Sequence, residues 1–486
     1  MKKFYITTAI TYVNAPPHIG HALEFIQADV IARYRREIGD SVFFSTGSDE
    51  HGVKIARRAE ELNTTSQALV DENAQKLRDL KKPLDLSWDV FVRTSDRKRH
   101  WPVAQRVWNA LYEAGDLYRK IYEGLYCAGC EAFITKKDLE NGKCVIHKTE
   151  PEIIKEENWF FRLSKYSDRI REILEKGEVR IVPESRKNEI LSLIKEGAED
   201  VSFSRPAKDL SWGVPVPGDE TQTMYVWADA LANYISALSW DGDEKRQKEY
   251  WPPDVHVIGK DILRFHALIW IGMLLSAKMK LPKEIFVHGF VTSGGEKMSK
   301  SLGNVINPVE LVGKYGTDAL RYYLLREIPS TEDGDISIEK FQARYNGDLA
   351  NGLGNLVSRV ATLGEKVSPL PFAKRSIDTT LKESARMHAG KYTTYMEEHR
   401  FNEALSEAWQ LIGVADRYVN DMAPWKITDS EKLADVIGNA SFLILEIATL
   451  LSPFLPSTVE KVRRQFSLAE DVLSIRKKEG LFPRLS

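Results

Sequence analysis

Alternating β-branched and aromatic positions over residues 3–10 predict a buried strand, and a loop with Asn14, Pro16 and Pro17 follows it. Residues 20–37 are then strongly helical. Leu23, Ile26, Val30 and Tyr34 recur at three- and four-residue steps, which gives that helix one apolar face for packing on a sheet. With residues 42–45 as the next strand, this is a strand–helix–strand unit whose chemistry sits at its first turn. A second set of strands is predicted at 224–227, 256–258 and 285–291, with a helix over 263–277 between the last two. One parallel sheet, interrupted by an insertion of roughly residues 116–221, accounts for both sets. From about residue 340 the pattern is helical to the end, with breaks at Pro369, Pro371, Pro424, Pro453 and Pro456.

A chain of 486 residues exceeds one core, and the usual ~100–200 residues per domain implies about three or four compact units. The apolar fraction of 43% and charged fraction of 28% are those of a globular protein and exclude disorder or a fibrous repeat. Met1-Lys2-Lys3 imitates the start of a signal peptide, but Thr7, Thr8 and Thr11 interrupt the apolar run and no small-residue cleavage site follows. The longest apolar runs, around 268–275 and 442–451, are shorter than the ~20 residues of a membrane span, so a soluble cytoplasmic protein with no membrane partner is expected. A net charge of −2 gives no global basic field, and any RNA contact must rest on local patches. Arg463, Arg464, Arg476, Lys477 and Lys478 form one candidate patch, although such runs are usually solvated helix faces.

Cys127, Cys130 and Cys144 are the only cysteines, and His147 completes the spacing C-x2-C, thirteen residues, C-x2-H. An odd cysteine count without a secretory signal argues against a disulfide framework. Three thiolates and one imidazole fill a tetrahedral zinc with no position left open, so one structural Zn2+ per chain is predicted. Three unrelated thiols beside a histidine are the plainer alternative.

Two short motifs carry the chemistry. His18-Ile19-Gly20-His21 lies where the first loop becomes a helix, so backbone N–H groups and the helix dipole favour an anion there. The imidazoles are donors for phosphate oxygens, and Gly20 lets a flat ring approach the backbone. Lys297-Met298-Ser299-Lys300-Ser301 lies after a strand, with Gly294-Gly295 before it and Gly303-Asn304 after it. Glycines on both sides imply a mobile loop whose two lysines meet charge building on a triphosphate, each such donor being worth ~3–4 kcal/mol. Taken singly, each motif is also compatible with an ordinary solvated turn.

Together, about 275 residues apart, they resemble the HIGH and KMSKS signatures of class I aminoacyl-tRNA synthetases, both without substitution. Beyond them the chain resembles methionyl-tRNA synthetases over nearly its whole length. The resemblance implies an α/β fold: a Rossmann-type parallel sheet with a zinc-bearing insertion lobe and an all-α C-terminal anticodon-binding bundle. Its implied boundaries are 1–115 and 222–292 for the two halves of the catalytic domain and 116–221 for the insertion with its zinc knuckle. Residues 293–345 are then the KMSKS loop and stem-contact region, and 346–486 the anticodon-binding domain. The implied reaction is activation of L-methionine by ATP, with Mg2+ travelling on the ATP phosphates, and transfer to initiator and elongator tRNA(Met).

The same resemblance assigns catalysis to His18, His21, Lys297 and Lys300, and ATP binding to Gly20, Glu24, Gly259, Asp261, Met298, Ser299 and Ser301. Asp261 is equally placed to cap a helix starting at Ile262. Asp49, in Gly47-Ser48-Asp49-Glu50-His51-Gly52, matches the carboxylate that holds the substrate ammonium. Ile10, Tyr12, Trp227, Ala230, Leu231, Tyr234, Phe265 and His266 match the methionine pocket, and an apolar slot with a few polar tips suits a thioether. Asn355, Arg359 and Trp425 match anticodon readers, residue types that bond and stack on splayed bases.

The chain departs from many relatives in using His147 as fourth zinc ligand and in having one knuckle. It also has no appended tRNA-binding barrel, so a monomer is expected. Synthetases for leucine, isoleucine or valine need an editing domain larger than this insertion, and a cysteine enzyme needs an active-site metal for which no cysteine remains. A catalytically silent RNA-binding or scaffold protein is the rival from another class.

Overall fold

The computed structural model describes all residues except 130, 131, 135–137, 147, 241, 243, 298–305, 373, 374 and 486, and the side chains of 122, 123, 132, 133, 154, 244, 296 and 297. It divides into two compact units, which run differently from the expected boundaries. One comprises Met1–Pro17, Gly39–Lys81 and Ser87–His288; the other comprises His18–Ile38, Lys82–Leu86 and Gly289–Ser486. The helix that follows the first strand thus belongs to the second unit.

The first unit is built on a parallel sheet in the order Arg180–Val182, Glu284–His288, Val255–Gly259, Lys3–Thr8, Ser41–Asp49, with Thr11–Tyr12 and Val90–Arg93 both pairing to the last. Parallel strands are covered on both faces and therefore read as continuous apolar runs. Tyr5, Ile6, Phe44, Val257, Ile285 and Val287 are accordingly all fully buried. Lys3–Thr8 lies between strands that come from far apart in the chain, so the order reverses there. In such sheets ligands bind outside the carboxyl ends at the reversal, which here carry residues 9–12, 49–51 and 259–261.

Three expectations for this unit are corrected. Arg180–Val182 falls inside the stretch assigned to the insertion, yet it pairs with Glu284–His288 as an edge of the main sheet. Three residues with one buried side chain, Ile181, are too few to show a period. Residues 224–227 are not a strand of that sheet: Asp219–Met224 pairs antiparallel with Ser204–Pro206, and Tyr225 caps the helix Val226–Ala230. The run 285–291 is split, because Val291–Ser293 pairs with Gly334–Asp335 in the second unit. The antiparallel ribbon Leu117–Cys127 with Glu152–Phe161 is the main element of the insertion.

In the second unit, Thr379–Glu397 packs on Phe401–Met422, and that helix packs on Ser430–Leu451. Ser430–Leu451 has 22 residues and is apolar enough to cross a membrane, which the sequence reading did not anticipate. However, 72% of its most apolar window is buried in the protein, as befits a core helix. The C-terminal region is not all helical. Phe466–Ala469 and Val472–Ile475 form a hairpin that Leu370–Pro371 joins as a third strand. Glu470 and Asp471 turn the hairpin with φ of 48° and 63°, as its right-handed twist requires. Leu473 and Ile475 alternate inward, a period-two signal lost behind the helical pattern before it. Of the basic patch, Arg463 and Arg464 face Glu37 and Glu460, and Arg476–Lys478 leave the last strand, so no single helix face carries it.

A buried arginine ties this unit together. Arg321, fully buried, donates to the carbonyls of Phe454, Pro453, Leu84 and Asp85 at 2.8–3.3 Å and pairs with the buried Asp29 at 2.8 Å. Asp29 lies on the helix Ile19–Glu37 and also accepts from Arg33 at 2.7 Å. Removing one partner of a buried pair strands the other charge in a dry interior, at a cost of about 3–5 kcal/mol. Arg321→Met is therefore expected to lower unfolding stability by about that amount in chemical denaturation; a change below about 1 kcal/mol would show that the carbonyl cage does not hold the helices.

Candidate active site and RNA-facing surfaces

At the sheet reversal, Thr11–Tyr12 runs parallel to the end of the strand Ser41–Asp49, with Tyr12 beside Asp49 in register. The carbonyl of Asp49 accepts from the Val13 amide at 3.1 Å, and Asp49 is only 6% exposed. Gly47 is needed for this approach, since a Cβ there would lie 2.3 Å from the Val92 carbonyl oxygen and 2.9 Å from Ile10. Ile10, Tyr12 and Asp49 are thereby gathered at one sheet end.

The aromatic residues form a second group. Trp227 stacks on Phe265 with ring centroids 4.0 Å apart and 8° between planes, and its edge meets His266. Ala230 and Leu231 are buried behind it. Phe265 and His266 open the π-helical turns Phe265–Trp270, which run into the helix Ile271–Ser276. His266 donates from Nδ1 to the Ile262 carbonyl at 3.0 Å, so its Nε2 accepts from the Tyr234 hydroxyl at 2.7 Å. Burial brings the His266 imidazole down to about 4, against the raising effect of that carbonyl, and the ring is neutral near pH 7. Behind it, Trp270 Nε1 donates to His256 Nε2 at 3.2 Å, which leaves the proton on Nδ1 for the Thr7 hydroxyl at 2.7 Å. Burial, then the proximity of His266, holds His256 well below the usual range. The pocket candidates thus meet as a network of neutral groups with fixed tautomers.

Sequence reasoning passed over two buried groups, one next to Asp49 and one two residues after Trp227 in the chain. Asp229 is 1% exposed and accepts from His51 Nδ1 at 2.6 Å and from His100 Nε2 at 2.7 Å. Burial alone would raise its carboxyl, but the charge and hydrogen bonds of His51 and His100 outweigh that and bring it down to about 2. Glu50, also buried, takes a bidentate pair from Arg93 at 2.7 and 2.8 Å. The signal lay in the run already noted around Asp49 and in residues 225–230 around Trp227, where acids and a histidine interrupt buried segments.

Gly259 ends its strand, and a Cβ there would lie 2.8 Å from Asp261 Oδ1. Asp261 is exposed and caps no helix among the described residues, contrary to the alternative role considered for it.

In the second unit, His18 caps the helix Ile19–Glu37 from an extended conformation. His18 Nδ1 accepts from the Gly20 amide and His21 Nδ1 from the His18 amide, both at 3.1 Å, and the rings stack at 4.0 Å. With both Nδ1 atoms accepting, the neutral rings carry their protons on Nε2, the donors that phosphate recognition needs. Gly20 has a nearer reason than the one expected: a Cβ would sit 2.9 Å from His18 Cε1, so the ring that needs the space is the cap's own. Glu24 is half-buried one turn further on. Gly294 and Gly295, with φ of 65° and 78°, form the turn of the hairpin Val291–Ser293 with Glu296–Lys297. Asp335 accepts from the Gly295 amide and the Thr292 hydroxyl, each at 2.9 Å. These glycines therefore turn a hairpin, held by Asp335, that leads into the lysine motif. Met298, Ser299, Lys300 and Ser301 lie outside the described residues, as does the side chain of Lys297.

Cys127 ends the strand Leu117–Cys127 and Cys144 the short strand Lys143–Cys144, and both are buried together with Ile134. Asn141 and Gly142, at φ of 51° and 77°, turn the second hairpin. Cys130 and His147 lie outside the described residues, and no cluster of three metal-binding groups occurs among the described ones. Arg359 bonds Asp416 at 3.1 Å and Asn420 at 2.7 Å, and lies 5.4 Å over the ring of Trp425. Trp425 is 51% exposed and so is not a core residue. Asn355, also exposed, opens the helix Asn355–Gly364 that carries Arg359.

The family described as tRNA synthetases class I (M) matches residues 4–137 and 130–361. The methionine-tRNA ligase of Caldanaerobacter subterraneus subsp. tengcongensis is 42% identical, covering 100% of this chain and 79% of that protein. That of Thermotoga maritima is 41% identical, with 96% and 76% covered. Among solved structures, Mycobacterium tuberculosis methionyl-tRNA synthetase in complex with methionyl-adenylate is similar with a TM-score of 0.93 at 35% identity, and 100% of each chain is covered. Its apo form gives a TM-score of 0.87 at 32% identity, covering 100% of this chain and 99% of that one. By sequence and by structure alike, the chain belongs to the methionyl-tRNA synthetases of class I.

Proposed function

We propose that the chain activates L-methionine with ATP and transfers it to initiator and elongator tRNA(Met) in the cytoplasm, working as a monomer. A methionine carboxylate oxygen attacks the α-phosphorus, the bond to the β-phosphate breaks, and pyrophosphate departs. A terminal ribose hydroxyl of the tRNA then attacks the carbonyl carbon, and AMP leaves. The observation that carries this reading is the Trp227–Phe265 stack, whose edge meets His266 of the Tyr234–His266 pair, a neutral aromatic cluster in the unit that carries Asp49. It suits an apolar thioether side chain, with the carboxylate for the ammonium.

Asp49 binds the ammonium, and Ile10, Tyr12, Trp227, Ala230, Leu231, Tyr234, Phe265 and His266 enclose the side chain. His18 and His21 donate to phosphate oxygens, and Gly20 and Glu24 serve ATP beside them. Gly259 and Asp261 meet the ribose, since strand-end acids suit its hydroxyls. Lys297 and Lys300 offset charge growing on the α-phosphate, and Met298, Ser299 and Ser301 shape their loop. Mg2+ accompanies the ATP phosphates. Cys127 and Cys144, buried together at strand ends, suit a structural Zn2+ that Cys130 and His147 would complete, and the four ligands would then be held together across residues 127–147. Asn355, Arg359 and Trp425 read the anticodon in the helical part of 346–486, the exposed indole stacking on a base and the guanidinium held over its ring.

Trp227→Ala is expected to raise KM for methionine about tenfold or more in pyrophosphate exchange while leaving KM for ATP within about twofold; an unchanged methionine KM would remove the aromatic slot from the site. A base–aromatic stack is worth ~1–3 kcal/mol, so Trp425→Ala should raise KM for tRNA by about an order of magnitude in aminoacylation. Unaltered charging would refute the anticodon assignment.

A further inference from the structure

Asp229 stands two residues after Trp227 on the five-residue helix Val226–Ala230, and no side chain caps that helix. A helix this short does not hold itself in place. His51 stands two residues after Asp49, just past the end of the strand Ser41–Asp49. The 2.6 Å bond between His51 Nδ1 and Asp229 Oδ2 therefore joins the segment bearing the ammonium ligand to the one bearing the aromatic wall. The other carboxylate oxygen takes His100 Nε2 at 2.7 Å, and His100 Nδ1 in turn meets the Ser236 hydroxyl at 2.9 Å. His51 is itself held between the edges of Trp101 and Trp212, with ring centroids at 5.9 and 5.4 Å. Trp212 Nε1 also donates to the Glu50 carbonyl.

We propose that Asp229 is a positioning residue for methionine: through His51 and His100 it fixes the Asp49 turn and the Trp227 helix in one geometry. The proposal rests on the assignment of Asp49 and Trp227 to the methionine pocket. Stability alone does not account for the arrangement. A carboxylate with two imidazoles in a dry core contributes little or nothing net relative to packed apolar groups, whereas it fixes direction at both oxygens. The hydrogen-bonded groups are paired across 178 and 129 residues of chain, and the first pair reaches the strand end at the sheet reversal.

The test uses pyrophosphate exchange by the full chain, with thermal melting alongside. Asp229→Asn keeps the shape but cannot accept both N–H groups, and it should raise KM for methionine about tenfold or more with KM for ATP within about twofold. In a Trp227→Ala background the same change should add less than about twofold, because the wall it positions is already gone. His100→Gln, which keeps one donor, should recover part of the methionine KM lost in His100→Ala; this pair replaces the first if Asp229→Asn does not fold. A lowered melting temperature with both KM values unchanged, or effects of Asp229→Asn and Trp227→Ala that multiply in full, would overturn the proposal. If Trp227→Ala itself leaves the methionine KM unchanged, the pocket assignment falls and the proposal with it; if only Asp229→Asn is silent, the pocket stands and the proposal alone falls.

Discussion

A buried carboxylate must be met by hydrogen-bond donors brought to it, and Asp229 meets that constraint with His51 and His100. Those partners come from the loop after the strand Ser41–Asp49 and from the N-terminal end of the helix Trp101–Glu113. Satisfying one charge thus ties three segments of the chain together. The neighbouring tautomers follow a similar logic: His266 and His256 are neutral because burial forbids their charge, and each ring nitrogen has a partner of the matching kind. The aromatic cluster is therefore uncharged with polar tips, while the sheet end carries Asp49. That division matches an amino acid with an ionic head and a thioether tail.

The second unit applies the same rule with opposite sign. Arg321 is surrounded by backbone carbonyls and Asp29, and Asp29 sits on the helix that His18 caps. The cap itself is a reciprocal pair of imidazoles, each accepting one backbone N–H. Two histidines and a glycine there solve a local problem, satisfying orphan amides at a helix start, and in doing so leave Nε2 as the protonated atom of each ring.

Long regular elements were legible in the sequence. The helix expected over 20–37 is Ile19–Glu37, and the strands at 3–10, 42–45 and 256–258 are present with shifted ends. Period fails where an element is shorter than its own repeat or lies beside a stronger signal. Arg180–Val182 and Val226–Ala230 are examples of the first, and the hairpin over 466–475 of the second. Glycines were found but not always explained, because the groups that crowd Gly20 and anchor Gly295 are set by folding. Trp425 could not be told from a core residue until its exposure was known. Asp229 and His100 escaped notice because a sequence does not pair residues more than a hundred positions apart.

The chain forms methionyl-adenylate. Formation of the adenylate is tested most directly by pyrophosphate–ATP exchange with each of the twenty amino acids in the absence of tRNA, which isolates activation from every RNA-dependent step. Exchange that depends on methionine is the result predicted. Exchange driven by another amino acid would contradict the reading of the aromatic slot, and no exchange with any of them would contradict catalysis itself.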